Sequence, residues 1–318
     1  MMKIFQLKIS KLFYRKFLEE LQLHLSSQEI IEWGVNCKLI FTPNPEMCLK
    51  TLEDEEFLRV LQSADYLTSD GLGLYLAYQM IPHLWISSPL KERRTISILE
   101  KLFSVVSFSS KGERIQDRGI MWRRVRAFFL LPYYFFNILF RKKYLYKKYG
   151  DRICGSDLTS DLVAFAEKNN IRIAIIDPYF PEDEGKCTVQ KNFREKLAEK
   201  FPNLLFDFYI LGQKSQENIL ENIKNSEAKI CFASLGMKKQ ELFCQQVQKH
   251  CPNVSLALWV GSSFDYYTGF QKRAPKIFRD LGFEWLYRIF TSPNTLKRLG
   301  RIKDALIVFP MKVLLYKK

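Results

Sequence analysis

Short apolar runs alternate with amphipathic stretches along most of this chain. The runs at 38–42, 66–68, 171–176, 204–210, 229–234 and 254–260 predict β-strands. The stretches at 11–33, 46–62, 72–80, 158–168, 189–200, 215–226 and 238–249 have apolar positions at helical spacing and predict helices. Alternation of strands with helices predicts an α/β fold: a Rossmann-like, mostly parallel sheet with helices on both faces.

The alternation breaks between residues 82 and 149. Within this segment, residues 127–140 form an apolar run of 14 residues with Lys and Arg at both ends. That is shorter than the ~20 residues a helix needs to cross a bilayer, and Pro132 would kink a helix. A buried hairpin of the core is one interpretation. We favour an in-plane or re-entrant membrane element, because cations and the aromatic residues Trp122, Tyr133, Tyr134 and Tyr144 suit a lipid interface.

Charge divides the chain in the same way. Residues 82–149 hold 15 Lys and Arg against 4 Asp and Glu, and residues 271–318 hold 12 against 3, so the rest of the chain is mildly acidic although the net charge is +15. We therefore predict an α/β core from 1–81 and 150–270, a basic insertion at 82–149 and a basic appendage at 271–318. A basic surface seeks the phosphates of lipid or of nucleic acid.

The seven cysteines form no CxxC pair, and the N-terminus has no apolar signal-peptide region. Both observations favour a reducing, cytoplasmic location. We expect the cysteines to be buried, and we expect no metal or other cofactor, since no P-loop, HExxH, GxSxG, complete GxGxxG or D-x-D sequence occurs.

Polar loops follow several of the predicted strands, and open α/β sheets bind ligands at the carboxyl ends of their strands. We expect these loops to line one crevice for a polar substrate. The candidate residues in them are Thr42, Asn44, Asp70, Gly71, Gly73, Ser156, Asp157, Gln240, Glu241 and Asp265.

Each candidate also has a plainer interpretation. A carboxylate at Asp70 suits a general base for a hydroxyl nucleophile, but Asp70 and Asp157 are equally suited to capping helices. Asn44 lies between two prolines, where an asparagine often stabilises a turn. Glu241 would complement a helix dipole. The sequence leaves these alternatives open.

Several longer motifs resemble the WecG/TagA/CpsF glycosyltransferases of bacterial surface-polysaccharide assembly, over about 38–81 and 151–301. The motifs are Thr42-x-Asn44-Pro45-Glu46, Ser63-Ala64-Asp65 with Asp70-Gly71-x-Gly73, Arg152-x-x-Gly155-Ser156-Asp157, Gly236-x-x-x-Gln240-Glu241, Gly261-x-x-Phe264-Asp265 with Gly269, Arg273-Ala274-Pro275, and Gly282-Phe283-Glu284-Trp285-Leu286-Tyr287-Arg288.

The resemblance implies an inverting enzyme that moves an N-acetylhexosamine-type sugar, such as ManNAc or ManNAcA, from a UDP donor to a polyprenyl-diphosphate-linked sugar. By position, Asp70 matches the general base of that family, and other matches line the pocket. The pocket matches are Thr42, Asn44, Arg152 and Gln240, and Arg288, Arg298 and Arg301 match cations of a C-terminal segment that closes over the site and meets the lipid diphosphate.

Three departures from the family pattern bear on function. Asp177-Pro178-Tyr179 stands where relatives carry a Gly-Gly turn, and Met237-Lys238-Lys239 stands where they carry Pro before Lys-Gln-Glu. The segment 82–149 is longer than the usual link. The first departure puts the identity of the donor in question, because that loop is expected near the donor.

The leading hypothesis is a glycosyltransferase that is peripheral on the inner face of the bacterial cell membrane. One alternative is a catalytically altered or inactive relative that binds a lipid-linked glycan. The other is a basic nucleic-acid-binding protein. We disfavour it because the basic segments are rich in apolar runs rather than in the polar patterns that contact the grooves of nucleic acids. A monomer and a homo-oligomer are equally compatible with the sequence.

Overall fold

The computed structural model describes residues 2–27, 37–85, 125, 127–178, 192–261, 263–269, 271–281, 284–291 and 300–316. Among these residues, no helix combines the length and the apolar character needed to cross a membrane.

A six-stranded parallel sheet forms the centre of the molecule. Its strand order is β4-β3-β8-β7-β5-β6, and a separate antiparallel hairpin contains β1 and β2. The predicted α/β fold with a mostly parallel sheet is therefore confirmed, whereas the N-terminal hairpin was not predicted. The strands are β1 Met2–Ile4, β2 Leu7–Ile9, β3 Lys38–Phe41, β4 Tyr66–Leu67, β5 Ile173–Pro178, β6 Phe206–Leu211, β7 Ile230–Ala233 and β8 Leu256–Trp259.

Helices cover both faces of this sheet, as the alternation predicts. They are α1 Tyr14–Ser26, α2 Pro45–Lys50, α3 Glu55–Gln62, α4 Leu72–Trp85, α5 Leu131–Phe140, α6 Lys142–Tyr149, α7 Gly155–Lys168, α8 Phe193–Lys200, α9 Gln216–Lys224, α10 Lys239–His250, α11 Lys276–Leu281, α12 Glu284–Thr291 and α13 Phe309–Leu315, with a 3-10 turn at Ser263–Tyr266 and a π-helical turn at Asp304–Val308.

Successive side chains along a strand point to opposite faces of the sheet, so the strands contribute to two hydrophobic cores. On β5, Ile173 and Ile175 join a core with α1, α7 and α8, whereas Ala174 and Ile176 join a core on the other face with α3, α4, α5, α10 and α13. Strands buried on both faces read as continuous apolar runs, and these were the signals that predicted them. The six described cysteines are all buried in the protein, as expected.

Two of the predicted helices were wrong in their extent. Residues 46–62 form α2 and α3 rather than one helix, because Asp54 accepts a hydrogen bond from the backbone of Phe57 (3.0 Å) and starts a second helix. The helix that starts at Leu72 does not end before Pro82 but continues to Trp85. The predicted helix 11–33 is confirmed over α1, and 28–36 lie outside the described residues.

The apolar run at 127–140 is buried on one face and exposed on the other, and its contact with a membrane stays a prediction. Tyr134, Asn137 and Ile138 are buried against α4, whereas Phe136 and Phe140 on the other face of α5 are exposed. Pro132 does not kink a helix, because it lies in the first turn of α5, where its missing N–H has no partner to lose. Most of the insertion, including Trp122, lies outside the described residues.

Candidate active site

The polar loops that follow β3, β4, β7 and β8 lie at one edge of the sheet, because these strands are parallel and their carboxyl ends point the same way. Thr42 and Asp70 lie in the loops that follow the neighbouring strands β3 and β4. The start of α7 reaches the same place, since the backbone N–H of Ile153 donates to the carbonyl of Ser69 (3.0 Å). Segments that are 80 residues apart in the chain therefore meet beside Asp70.

Arg152 is the cation next to this carboxylate. Burial lowers the pKa of Arg152, but the negative charge of Asp70, followed by those of other acidic groups including Glu284, outweighs burial and raises the pKa overall. One guanidinium N–H donates to the backbone carbonyl of Arg279 (2.8 Å). A carboxylate and a fixed positive charge thus lie close together at the carboxyl edge of the sheet.

Thr42 lies at the point where β3, β8 and α7 converge. Its hydroxyl accepts a hydrogen bond from the indole N–H of Trp259 (2.7 Å), and the Trp259 ring stacks on Phe41. A side chain at Gly155 would approach the Thr42 hydroxyl at 3.2 Å, so glycine lets the first turn of α7 come close to Thr42. Trp259 was not predicted as a site residue, since its apolar neighbours in the sequence indicate only a strand.

The glycines beside Asp70 have local structural roles. Gly71 has φ +88°, a backbone conformation that side chains rarely adopt. A Cβ at Gly73 would lie 2.5 Å from Cγ of Pro45 and 3.2 Å from the carbonyl of Ala305. Glycine at 73 therefore allows α4, α2 and the C-terminal segment to pack closely at the edge of the site.

Asn44 holds the start of α2. Its Oδ1 accepts from the backbone N–H of Met47 (3.0 Å), which is the geometry of a helix cap. The predicted role of Asn44 in stabilising the local chain direction therefore accounts for the oxygen of its side-chain amide. Glu46, in the first turn of this helix, pairs with Arg301 (3.5 Å), which ties the C-terminal appendage to the loop after β3.

The carboxylate of Asp157 does not cap α7, because the N-cap residue is Cys154 and no side chain caps this helix. Asp157 instead accepts hydrogen bonds from Arg273 and from Arg279 (3.4 Å to Arg279). These two arginines were not predicted as site residues, although Arg273 belongs to one of the motifs. Together with Arg152 they place three guanidinium groups around the first turn of α7, next to the half-buried Ser156.

Asp265 lies in the 3-10 turn after β8 and is buried. The side-chain amide of Gln271 donates to its carboxylate (3.2 Å), and the neighbouring Tyr266 hydroxyl donates to Glu284 (3.1 Å). Both bonds join the core to the appendage that begins at 271. This turn therefore fixes how the C-terminal segment sits beside Arg152.

Gln240 and Glu241 lie beneath the loop that follows β7. The Gln240 amide donates to Glu241 (3.0 Å), and neither the second oxygen of Glu241 nor the amide oxygen of Gln240 has a partner among the described residues. Glu241 has no exposed surface, and burial raises its pKa to about 8. Burial thus favours the neutral form of Glu241, whereas hydrogen bonds from backbone groups of Lys238 and Glu241 favour its charged form. The role of Glu241 at the start of this helix stays a prediction.

A family model for the WecG/TagA/CpsF glycosyl transferases matches residues 2–111 and 137–318, which is most of the chain. The chain belongs to this family. It is accordingly a glycosyltransferase of cell-surface polysaccharide synthesis.

Residues 112–136 are outside the match to the WecG/TagA/CpsF family. They lie within the predicted insertion, which was drawn more widely at 82–149. The exposed Phe128, Phe129 and Phe136 belong to this unmatched part, whereas α6 and the end of α5 from Asn137 onwards lie within the matched part.

Not every expected site residue of this glycosyltransferase can be placed. Arg298 and the side chain of Arg288 lie outside the described part of the chain, so their predicted contact with phosphates stays a prediction. Arg301 is exposed at the rim beside Glu46. Asp70, Arg152, Thr42 and the first turn of α7 lie together at the carboxyl edge of the sheet.

Proposed function

We propose that this glycosyltransferase moves an N-acetylhexosamine-type sugar, with inversion, from a UDP donor to a sugar linked to polyprenyl diphosphate. The observation that carries the proposal is the proximity of Asp70 and Arg152 at the carboxyl edge of the sheet, where the backbone bond between Ile153 and Ser69 brings their segments together and the charge of Asp70 raises the pKa of Arg152. Group transfer from a nucleoside diphosphate needs a base for the incoming hydroxyl and positive charge for the leaving group, and these two residues supply both.

In the proposed reaction, Asp70 takes the proton of the acceptor hydroxyl while the hydroxyl oxygen bonds to the anomeric carbon of the donor. The bond between that carbon and the diphosphate oxygen breaks, and UDP leaves with the electron pair. Arg152 and the backbone N–H groups at the start of α7, which no described side chain caps, stabilise the negative charge that develops on the leaving oxygen. The Thr42 hydroxyl, held by Trp259, positions the donor between them.

A lipid-linked acceptor requires the crevice to lie beside a membrane, and we propose that the protein is peripheral on the inner membrane face. Two features support this. Phe128, Phe129, Phe136 and Phe140 are each about half exposed or more, and the adjoining residues 141–149 hold five Lys and Arg with no Asp or Glu. An exposed aromatic face beside basic residues suits the interface of an anionic bilayer.

The test is transfer from a panel of labelled UDP-sugars to a short-chain polyprenyl-diphosphate-linked GlcNAc. Wild type should use one donor, and Asp70→Asn should lower the rate by roughly 10²- to 10⁴-fold, the usual contribution of a general base. Asp207→Asn is the matched control, since Asp207 lies near the amino end of β6, away from the site. Equal rates in wild type and Asp70→Asn would refute the assigned role of Asp70, and no transfer from any donor would refute the proposed activity.

A further inference from the structure

A buried Asp–Ser pair lies at the carboxyl edge of the sheet, outside the site described above. Asp177 is the penultimate residue of β5, and Ser234 follows β7 directly. The Ser234 hydroxyl donates to the Asp177 carboxylate (3.1 Å), and the backbone N–H of Ser234 donates to the carbonyl of Ile176 (2.8 Å). Both side chains are more than nine-tenths buried.

Strand register places this pair in line with Thr42. Ile176 pairs with Ala233, and Ala233 pairs with Trp259. The residues one step further along, Asp177, Ser234 and Val260, therefore form a row. Since Ile40 pairs with Leu258, Thr42 continues the same row on β3. Three strand spacings separate Thr42 from Asp177, which is about 14 Å along one edge.

The pair also lies where the chain reverses its direction of progress through the sheet. The connection from β5 leads to β6 on one side, and the next strand, β7, lies on the other side of β5. Ligands of open α/β sheets bind in the crevice that forms at such a switch point. A Cβ built at Gly236 or at Gly261, in the turns after β7 and β8, would meet no described atom within 4 Å, so the described residues leave room beside these two turns.

The chemistry of the pair selects what can bind there. A carboxylate accepts hydrogen bonds from hydroxyl groups and repels phosphates. The diphosphate of the donor belongs at the other end of the row, near Arg152 and the first turn of α7. If the anomeric carbon of the donor lies beside Asp70, the nucleoside extends along the row towards Asp177. In this orientation the ribose hydroxyls are the groups that reach Asp177.

We infer that Asp177, positioned by Ser234, binds the ribose hydroxyls of the nucleoside diphosphate donor. This inference rests on the proposed function, since it assumes a UDP donor. It gives a role to the residue that replaces the Gly-Gly turn expected from the family resemblance. Asp177-Pro178 would then mark a different way of holding the donor rather than a loss of activity.

The test is binding of UDP, 2′-deoxy-UDP and 3′-deoxy-UDP to the full chain, measured by calorimetry without acceptor. Wild type should bind at least one deoxy analogue roughly 10- to 100-fold more weakly than UDP, as expected when a hydrogen bond to a charged group is lost. Asp177→Asn should bind UDP more weakly by a similar factor and should no longer distinguish UDP from that analogue.

Two further variants make the result specific. Asp207→Asn, on the neighbouring strand, should discriminate as wild type does. Ser234→Ala removes only the hydroxyl that positions Asp177, and it should reduce the discrimination without abolishing UDP binding. This second variant keeps the test valid if Asp177→Asn fails to fold.

The outcomes separate this inference from the proposed function. If wild type and Asp177→Asn both bind UDP and discriminate equally, or if wild type binds all three nucleotides equally, the assignment of Asp177 is wrong although the donor class stands. If wild type binds no UDP, the proposed donor is wrong and the inference falls with it.

Discussion

At the scale of single residues, Glu241 links burial to pH. Its carboxyl group has no exposed surface, and burial raises the pKa to about 8 from the ordinary value of 4.5. The folded protein therefore holds a proton that the unfolded chain releases at pH values between these two. In that range the unfolded state binds fewer protons, so the free energy of unfolding falls as the pH rises.

We expect this contribution to disappear in Glu241→Gln, which stays neutral and keeps a partner for Gln240. From about pH 6 to about pH 7.5, the free energy of unfolding of the wild type should fall by up to about 2 kcal/mol more than that of the variant. Urea unfolding at both pH values measures the difference. Glu217→Gln, at an exposed position in α9, is the control and should keep the wild-type slope. Parallel slopes for wild type and Glu241→Gln would contradict the prediction.

Most candidate residues at the carboxyl edge of the sheet could be predicted from the sequence, but their neighbours in the folded protein could not. Asp70 and Arg152 were both recognised in motifs, yet their proximity depends on the bond between Ile153 and Ser69, which joins distant segments. Glu241 was recognised as a site candidate at the start of a helix, but its sequence neighbours Lys238 and Lys239 do not show that it is buried. Its burial follows only from the packing of α10 against β7, β8, β3 and α3.

At the scale of elements, the contact between α4 and α5 contains a buried pair of amides. The Asn137 amide donates to Oε1 of Gln79 (2.9 Å), and the Gln79 amide donates to the carbonyls of Tyr75 and Tyr134 (3.2 Å each). These bonds fix which face of α5 is turned inwards. The exposed aromatic face of α5 is oriented by this pair.

We expect Asn137→Leu to lower the free energy of unfolding by roughly 1–3 kcal/mol, because the Gln79 oxygen loses its buried donor. The double variant Gln79→Leu/Asn137→Leu removes both partners and should be less destabilised than the sum of the two single variants. The midpoints of urea unfolding for the four proteins give the coupling. Additive effects would show that the two amides do not act as a pair.

Periodicity predicted the elements better than their ends. The apolar stripe of 46–62 continues through the break between α2 and α3, so spacing alone indicates one helix. The break depends on Asp54, which caps α3. The Asp54 carboxylate also accepts a hydrogen bond from the Lys238 ammonium group of the loop after β7 (2.7 Å). The first interaction is visible in the sequence as an aspartate three residues before Phe57, but the second needs the folded sheet.

At the scale of the whole molecule, the proposed active site and the exposed aromatic face share one scaffold. Helix α4 begins beside Asp70, and α5 and α13 both pack against α4. The C-terminal segment adds further exposed apolar side chains at Ile307, Met311 and Leu315. Two surfaces suited to a membrane are thus attached to the helix that starts at the proposed base.

This arrangement predicts that membrane binding depends on the face of α5 rather than on exposed apolar residues in general. Phe140 on α5 and Leu23 on α1 are almost equally exposed, at 71% and 72%, but α1 packs on the opposite face of the sheet. We expect Phe140→Ser to weaken co-sedimentation with vesicles of phosphatidylglycerol and phosphatidylcholine, and Leu23→Ser to leave it unchanged. The charged contribution is tested separately by Lys147→Gln/Lys148→Gln. This variant should bind anionic vesicles more weakly and with less sensitivity to salt, whereas Phe140→Ser, which changes no charge, should keep the salt sensitivity of the wild type.

The same variants separate membrane attachment from catalysis. Because Phe140 lies on the outer face of α5, transfer to a water-soluble, short-chain acceptor should keep its wild-type rate in Phe140→Ser, whereas transfer to a long-chain acceptor in vesicles should slow. A variant that slowed both reactions equally would indicate damage to the fold rather than lost docking. Equal binding of Phe140→Ser, Leu23→Ser and wild type to anionic vesicles would show that the α5 face is not the docking surface, and the basic C-terminal segment would then have to supply it alone.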